Sequence, residues 1–131
     1  MFIDASALTA LLTDEDDARE LLARLQGATT RITSPMAVWE AAIAVARVLD
    51  LSVKEVASAL EAYFEEMGIE VVAVPPSTAR IAIDAYDRYG KGRHPARLNF
   101  GDCFAYACAR HFGMPLMFKG ADFPLTDIEA A

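Results

Sequence analysis

The chain of 131 residues has the length of one domain, and its composition is that of a folded protein. Hydrophobic residues make up 54% of the sequence and charged residues 24%, a balance that excludes intrinsic disorder. Acidic residues outnumber basic ones by 19 to 12, which gives a formal net charge of −7. Proteins that coat nucleic acid by neutralising phosphates need the opposite sign. An enzyme that holds cations in an acidic site remains compatible with this charge.

Disulfide-rich, secreted and membrane-spanning proteins are also excluded by sequence pattern. Cys103 and Cys108 are five residues apart, and in a helix that spacing directs the two thiols away from each other. Met1 is not followed by a basic segment and an apolar run, so we expect no signal peptide. No apolar stretch approaches the ~20 residues that span a bilayer. We therefore expect a cytoplasmic protein with a single domain over residues 1–131.

In the first half of the chain, short apolar strands alternate with helices. Thr13 is followed by four acidic residues and is the expected N-cap of a helix that Gly27 ends. Ser34 precedes a proline, the pattern of a helix start, and Ser52 opens a capping box. These signals predict strands at 2–4 and 29–33, and helices at 6–12, 13–27, 35–49 and 52–68.

The second half repeats this alternation. A β-branched run at 69–74 predicts a strand that two prolines end, and Ser77 is the expected cap of a helix that reaches Tyr89. A loop at 90–98, a helix at 101–112 and a strand at 115–118 follow. Alternating strands and helices indicate parallel pairing with helices on both faces. We expect an α/β fold, a three-layer α/β/α sandwich with about four short, mainly parallel strands.

Four acidic residues fall where strands end and helices begin. Asp4 ends the first strand, Glu40 lies early in the helix after the second, Asp102 opens a helix, and Asp122 follows the last strand. In parallel α/β sheets, active sites form at the carboxyl ends of the strands. Taken singly, Asp4 could be a turn or cap residue and Asp102 could complement a helix dipole. Glu40 interrupts an apolar helix face, where an unpaired acid is costly.

A cluster of carboxylates needs protons or cations to offset its repulsion. Oxygen ligands without histidine favour Mg²⁺ or Mn²⁺ over zinc, and His94 and His111 lack the spacing of a zinc site. Such an ion can activate water for hydrolysis of a phosphodiester. The chemistry that this pattern predicts is metal-dependent phosphodiester hydrolysis without a covalent intermediate.

These segments resemble the PIN-domain ribonucleases, specifically the VapC-type toxins of VapBC toxin–antitoxin pairs. The resemblance covers almost the whole chain and is most specific at 98–107 and 118–123. It implies that Asp4, Glu40, Asp102 and Asp122 are the catalytic and metal-binding acids. It also implies supporting roles, for Ser6 as a hydroxyl beside the acids and for Asn99 as a polar neighbour. The family often has an acid where this chain has Ala121.

The resemblance further implies a homodimeric endoribonuclease that needs Mg²⁺ or Mn²⁺ and cuts structured RNA, such as tRNA or rRNA. It implies a VapB-type antitoxin that wraps the toxin and inserts a basic side chain near the acids. None of these properties follows from composition or spacing.

A basic loop stands out in this acidic chain. Lys91, Arg93 and Arg97 lie between Arg88 and the Asp102 helix with no acid among them, so they are candidate contacts for RNA phosphates. The alternative is a solvated loop with incidental charge. The aromatic residues of the helices, Trp39 among them, are expected in the core or at an interface rather than as base-stacking platforms.

The same residues leave two alternative functions to consider. A non-catalytic module could keep this fold and bind RNA or a partner protein, although the presence of all four acids argues against that. Aspartate-based phosphoryl transfer is the other alternative. A receiver needs paired acids after its first strand, whereas Asp4 stands alone, and a haloacid-dehalogenase-like phosphatase needs an aspartate where this chain has Ser6.

Overall fold

The computed structural model describes residues 1–131, in which a four-stranded sheet lies between two groups of helices. The strand order is β3-β2-β1-β4, and every pairing is parallel. The predicted three-layer α/β/α sandwich is therefore confirmed. The elements in chain order are β1 Phe2–Ile3, α1 Ala5–Leu12, α2 Ala18–Gly27, β2 Ile32–Thr33, α3 Pro35–Leu49, α4 Val53–Met67, β3 Glu70–Val71, α5 Thr78–Tyr89, α6 Phe100–Phe112, β4 Leu116–Met117, and a short 3₁₀ turn, Phe123–Leu125.

The neighbouring strands β1 and β4 contribute side chains to both faces of the sheet. Successive side chains of a strand point to opposite faces, so Phe2 and Leu116 pack in the core under α5 and α6. Ile3 and Met117 pack in the second core, under α1 to α4. All four side chains are fully buried or nearly so. Two-residue strands suffice because helices cover each of these four residues.

Local capping signals predicted several helix ends correctly. Ser34 caps α3 through a hydrogen bond from the Ala37 amide, with proline at the first helical position. Ser52 and Glu55 form the expected capping box of α4, and Gly68 ends that helix with a φ of +60°. These ends are encoded within a few residues of chain, which is why sequence alone finds them.

The predicted start of α2 at Thr13 is wrong. The Thr13 hydroxyl donates to the Thr9 carbonyl, so Thr13 ends α1. Asp14 then turns the chain with a φ of +51°, and α2 begins only at Ala18. The acids expected in the first turn of α2 instead lie in this connection, and Glu15 and Asp17 pair there with Lys119.

The strands are shorter than predicted, and Ser77 does not cap α5 with its side chain. The run expected as a strand at 69–74 pairs only over Glu70–Val71, because β3 lies at the sheet edge with β2 as its sole neighbour. The loop at 90–98 is closed at its base, where Leu98 pairs with Gly90. No helix is long and apolar enough to cross a membrane.

Candidate active site

An open cavity of about 590 Å³ lies at the carboxyl edge of the sheet. Asp4, Glu40 and Asp102 line it together, as the sequence predicted for acids at strand ends. Asp122 does not line the cavity, but its charge contributes to raising the pKa of Asp102. The fold thus gathers three of the four predicted acids around one opening and places the fourth within electrostatic range.

Asp4 is held at the end of β1 by its neighbour Ser6. Its carboxylate caps α1, accepting from the Ser6 amide at 3.0 Å and also from the Ser6 hydroxyl. The same hydroxyl accepts from the Lys119 amide at 3.0 Å, which ties the ends of β1 and β4 together. Burial raises the pKa of Asp4, and the hydrogen bonds from Ser6 oppose that rise. Ser6 therefore lies beside Asp4 and holds its carboxylate, and its supporting role in a catalytic site stays a prediction.

Glu40 reaches the cavity from the second turn of α3, and Gly101 of α6 makes room for it. A β-carbon at Gly101 would lie 2.2 Å from Glu40 Oε1, so only glycine fits while the carboxylate stays there. Burial raises the pKa of Glu40, and the charges of Asp4 and Asp102 raise it further. Glu40 is thus one of three acids that line the cavity and repel one another.

Asp102 combines a structural and a site role. Its Oδ2 accepts from the Asn99 amide at 2.8 Å, and Asn99 Oδ1 accepts from the Asp102 amide at 3.0 Å, a capping box that begins α6. Burial raises the pKa of Asp102, the hydrogen bond from Asn99 lowers it, and the charges of Asp4 and Asp122 raise it. Asn99 therefore fixes the carboxylate that lines the cavity.

Two cations line the same cavity. Lys119 is already paired, with Glu15 and with Asp17, whose Oδ1 lies 3.0 Å from its Nζ. Arg47, on α3, is exposed and forms no ion pair in the chain. Sequence reasoning did not single out Arg47. The available signal was its spacing of seven residues from Glu40, which places both side chains on one face of the helix.

The donor set suits a hard divalent cation. Carboxylate oxygens line the cavity without any histidine or cysteine, the ligand chemistry that Mg²⁺ and Mn²⁺ prefer. No three acidic, histidine or cysteine side chains stand close enough to form a finished metal site. A bound cation would have to draw the carboxylates together, and it would relieve the repulsion that raises the pKa values of Glu40 and Asp102.

The basic loop lines a different cavity. Lys91, Arg93 and Arg97 surround an open space of about 470 Å³ that shares no residue with the acidic one. Arg93 pairs with Asp87 at 2.8 Å, and Arg97 adopts a φ of +52°. The structure thus does not bring these three residues to the acids, and their contact with RNA phosphates stays a prediction.

Trp39 is largely exposed. The sequence predicts this side chain in the core or at an interface; its exposure of 66% excludes the core, and the interface stays a prediction. It lines the acidic cavity beside Glu40, the next residue of α3. Trp39 is therefore not a core residue of this chain.

Known proteins resemble this chain over nearly its whole length. The model of the PIN domain family matches residues 1–129. A ribonuclease VapC from Mycolicibacterium smegmatis is 44% identical, over 99% of this chain and 98% of that protein. Ribonuclease VapC30 from Mycobacterium tuberculosis is 42% identical, over 98% and 95% of the respective chains.

A solved structure supports the fold independently. The crystal structure of VapC20 from Mycobacterium tuberculosis, described as a toxin that cleaves the sarcin–ricin loop, superposes with a TM-score of 0.76. The match covers 99% of this chain and 97% of that one at 17% identity. At that identity the likeness concerns the arrangement of helices and strands.

Proposed function

Because the chain belongs to the PIN domain family, and within it to the VapC ribonucleases, we propose that it is a metal-dependent endoribonuclease and the toxin of a toxin–antitoxin pair. The observation that carries this proposal is the cavity lined by Asp4, Glu40 and Asp102 at the carboxyl edge of the sheet. The two cations of this cavity form no ion pair with these three acids, because Lys119 pairs with Glu15 and Asp17 and Arg47 pairs with no acid. The repulsion among Asp4, Glu40 and Asp102 therefore favours a metal-binding role.

The four acids have two proposed roles: binding the metal ion and orienting the attacking water. Asp4, Asp102 and Asp122 are the proposed ligands of Mg²⁺ or Mn²⁺, and Glu40 ligates the ion or orients the attacking water. When bound, such an ion lowers the pKa of water and stabilises the charge that develops on phosphoryl oxygens. Ser6 and Asn99 hold the carboxylates of Asp4 and Asp102 in place through the hydrogen bonds described above.

The proposed substrate is structured RNA, either tRNA or rRNA. One structural neighbour, VapC20, is described as cleaving the sarcin–ricin loop, which makes a folded RNA a reasonable first choice here. Lys91, Arg93 and Arg97 would contact backbone phosphates away from the acids, where they line their own cavity. Phosphate contacts of this kind position an RNA without reading its sequence.

The proposed partners are a VapB-type antitoxin and a second copy of the chain, in the cytoplasm. The VapC relatives support the antitoxin. Exposed apolar side chains support protein contacts in general: Ile83 is 71% exposed and Val53 is 46% exposed. Burial of apolar side chains of this size against another protein stabilises the complex.

Cleavage of a mixed tRNA and rRNA pool by the purified protein tests the proposal. The reactions contain Mg²⁺, Mn²⁺ or EDTA, with Asp4→Asn as the matched variant. Asparagine caps a helix as well as aspartate, so this variant should keep the fold. We expect discrete fragments that require metal and vanish in Asp4→Asn. An active, folded Asp4→Asn protein would overturn the assignment. RNA binding without metal-dependent cleavage would favour the non-catalytic module instead.

A further inference from the structure

A second, smaller hollow of about 230 Å³ opens beside Glu40. Two aromatic side chains line it, Trp39 from α3 and Phe100 from the first turn of α6. They are 66% and 70% exposed, although both are large apolar groups. Trp39 and Glu40 line this hollow and the acidic cavity alike, so the two spaces adjoin.

The aromatic faces in this hollow are available to a ligand. Trp39 stacks on no other ring and on no cation of the chain. Phe100 contacts only Phe104 among the aromatic residues, with ring centroids 4.9 Å apart. Exposed aromatic rings in a groove that follows a nucleic-acid backbone are the platforms on which unpaired bases stack.

Arg47 gives the acidic cavity a free positive charge, which a polyanion such as RNA needs for binding. It lies seven residues from Glu40, roughly 10 Å along the axis of α3, and it lines the acidic cavity without an ion-pair partner. Lys119, the other cation there, is engaged by Glu15 and Asp17. The Arg47 guanidinium is therefore the cationic group of this cavity that is free to bind a phosphate.

We propose that the hollow between Trp39 and Phe100 receives one unpaired base of the RNA, next to the scissile phosphate, while Arg47 binds a flanking backbone phosphate. This inference rests on the proposed ribonuclease function and narrows its substrate class. A stacked base pair cannot offer its face to Trp39, so the cut falls in a loop, a bulge or another site from which a base is extruded.

The position of the hollow favours an RNA base over a protein side chain. Glu40 forms part of its wall. When the RNA phosphate lies at the acids, the base of the same nucleotide therefore lies at the entrance of the hollow. Along α3, Trp39 directly precedes Glu40 and Arg47 follows it by about two turns, while Phe100 of α6 lines the hollow opposite Trp39. A base is neutral and planar, which suits two aromatic rings beside a carboxylate.

Trp39 fluorescence gives a direct test, because Trp39 is the only tryptophan of the chain. Full-length Asp4→Asn protein with Mg²⁺ is titrated with a short single-stranded oligoadenylate and with an RNA duplex of the same length. We expect saturable quenching by the single strand and none by the duplex. In the Asp4→Asn background, Phe100→Ala should weaken binding roughly 5- to 100-fold, the cost of one lost stacking contact.

Matched variants separate stacking and charge from general surface changes. Val48→Ala removes an exposed apolar side chain, and Arg80→Ala removes an unpaired arginine. Neither residue lines the acidic cavity or the hollow, so RNA binding should be unchanged in both variants. Arg47→Ala should weaken binding and flatten its salt dependence. In cleavage reactions, Trp39→Ala should raise KM far more than it lowers kcat, and Trp39→Phe should restore most of the loss.

The outcomes separate this inference from the proposed function. Metal-dependent cleavage by the wild type without quenching of Trp39 would overturn the base-binding hollow and leave the ribonuclease intact. Quenching without cleavage would support the hollow and overturn the ribonuclease. Trp39 emission that responds to protein concentration but not to RNA would show that a second copy covers the hollow, and the inference would fail.

Discussion

Gly101 of α6 and Glu40 of α3 are in contact so close that a β-carbon at position 101 would lie 2.2 Å from Glu40 Oε1. This contact joins the two helices that contribute Glu40 and Asp102 to the cavity. Because Gly101 of α6 has no side chain, the Glu40 carboxylate of α3 can occupy its position in the cavity.

We predict that Gly101→Ala displaces the Glu40 carboxylate without unfolding the protein. Glutamate is flexible and half-buried, so it can swing away, and alanine gains up to about 1 kcal/mol over glycine within a helix. Cleavage should fall about 10- to 100-fold, the effect expected when a metal-site group loses its orientation. Thermal unfolding and initial cleavage rates measure the two effects.

A double-mutant cycle with Glu40→Gln separates displacement of the Glu40 carboxylate from any other effect of Gly101→Ala. If Gly101 acts through Glu40, then Gly101→Ala should cost little more activity once Glu40→Gln is present. Equal losses in the wild-type and Glu40→Gln backgrounds would show that Gly101 has a separate role.

Ser6→Ala should weaken the site through Asp4. The Ser6 hydroxyl donates to Asp4 and accepts from the Lys119 amide, so its removal frees one carboxylate contact and leaves a partly buried amide unpaired. We expect about 1–3 kcal/mol lower free energy of unfolding and about 10- to 100-fold weaker metal binding. Urea unfolding and calorimetric metal titration measure these quantities.

Thr9→Val is the matched control for that change. Thr9 lines the same cavity, but its hydroxyl donates only to the Ala5 carbonyl within α1. Its metal affinity should stay close to that of the wild type. If Thr9→Val and Ser6→Ala weaken metal binding equally, the link from Ser6 to Asp4 has no special role.

Local signals explain how much of the fold could be predicted. Ser34 and Ser52 are followed at once by proline and by a capping-box glutamate, so both helix starts are encoded in adjacent residues. Parallel pairing follows from the alternation of strands and helices, and that pairing brings Asp4 and Asp102 to one edge. The core of the site could therefore be predicted from chain order.

Contacts between distant segments could not be predicted. Lys119 pairs with Glu15 across 104 residues of sequence, and this pairing accompanies the late start of α2 at Ala18. The close approach of Gly101 to Glu40 and the presence of Arg47 at the cavity also arise only when α3 and α6 pack together. Helical spacing alone placed Trp39 on a helix but could not tell which face meets solvent.

Asp127 should make folding stability depend on acid pH. Burial opposes its ionisation, but hydrogen bonds from Tyr106, Arg88 and Arg110 outweigh it and hold the pKa of Asp127 well below its usual range. A carboxyl group with a depressed folded-state pKa stabilises the protein above its unfolded pKa, near 4, and this contribution disappears as the pH falls below that value.

Asp127→Asn tests that contribution. The side chain of Asp127 is 43% exposed, so the loss at pH 7 should be about 1 kcal/mol, and it should shrink steadily as the pH falls from about 4 towards 2. Asp84→Asn is the control, since Asp84 is 65% exposed and pairs with Arg88 only at 3.8 Å. Denaturant unfolding at several pH values measures both variants. A loss in Asp127→Asn that is independent of pH would contradict the ionic explanation.

The central claim is that the acids around this cavity bind a divalent cation, and calorimetric titration of the full-length protein with Mn²⁺ tests it most directly. The account predicts saturable Mn²⁺ binding by the wild type that weakens more than about 10-fold in Asp4→Asn, with thermal unfolding unchanged. Equal Mn²⁺ binding by the two folded proteins, or none by either, would contradict it.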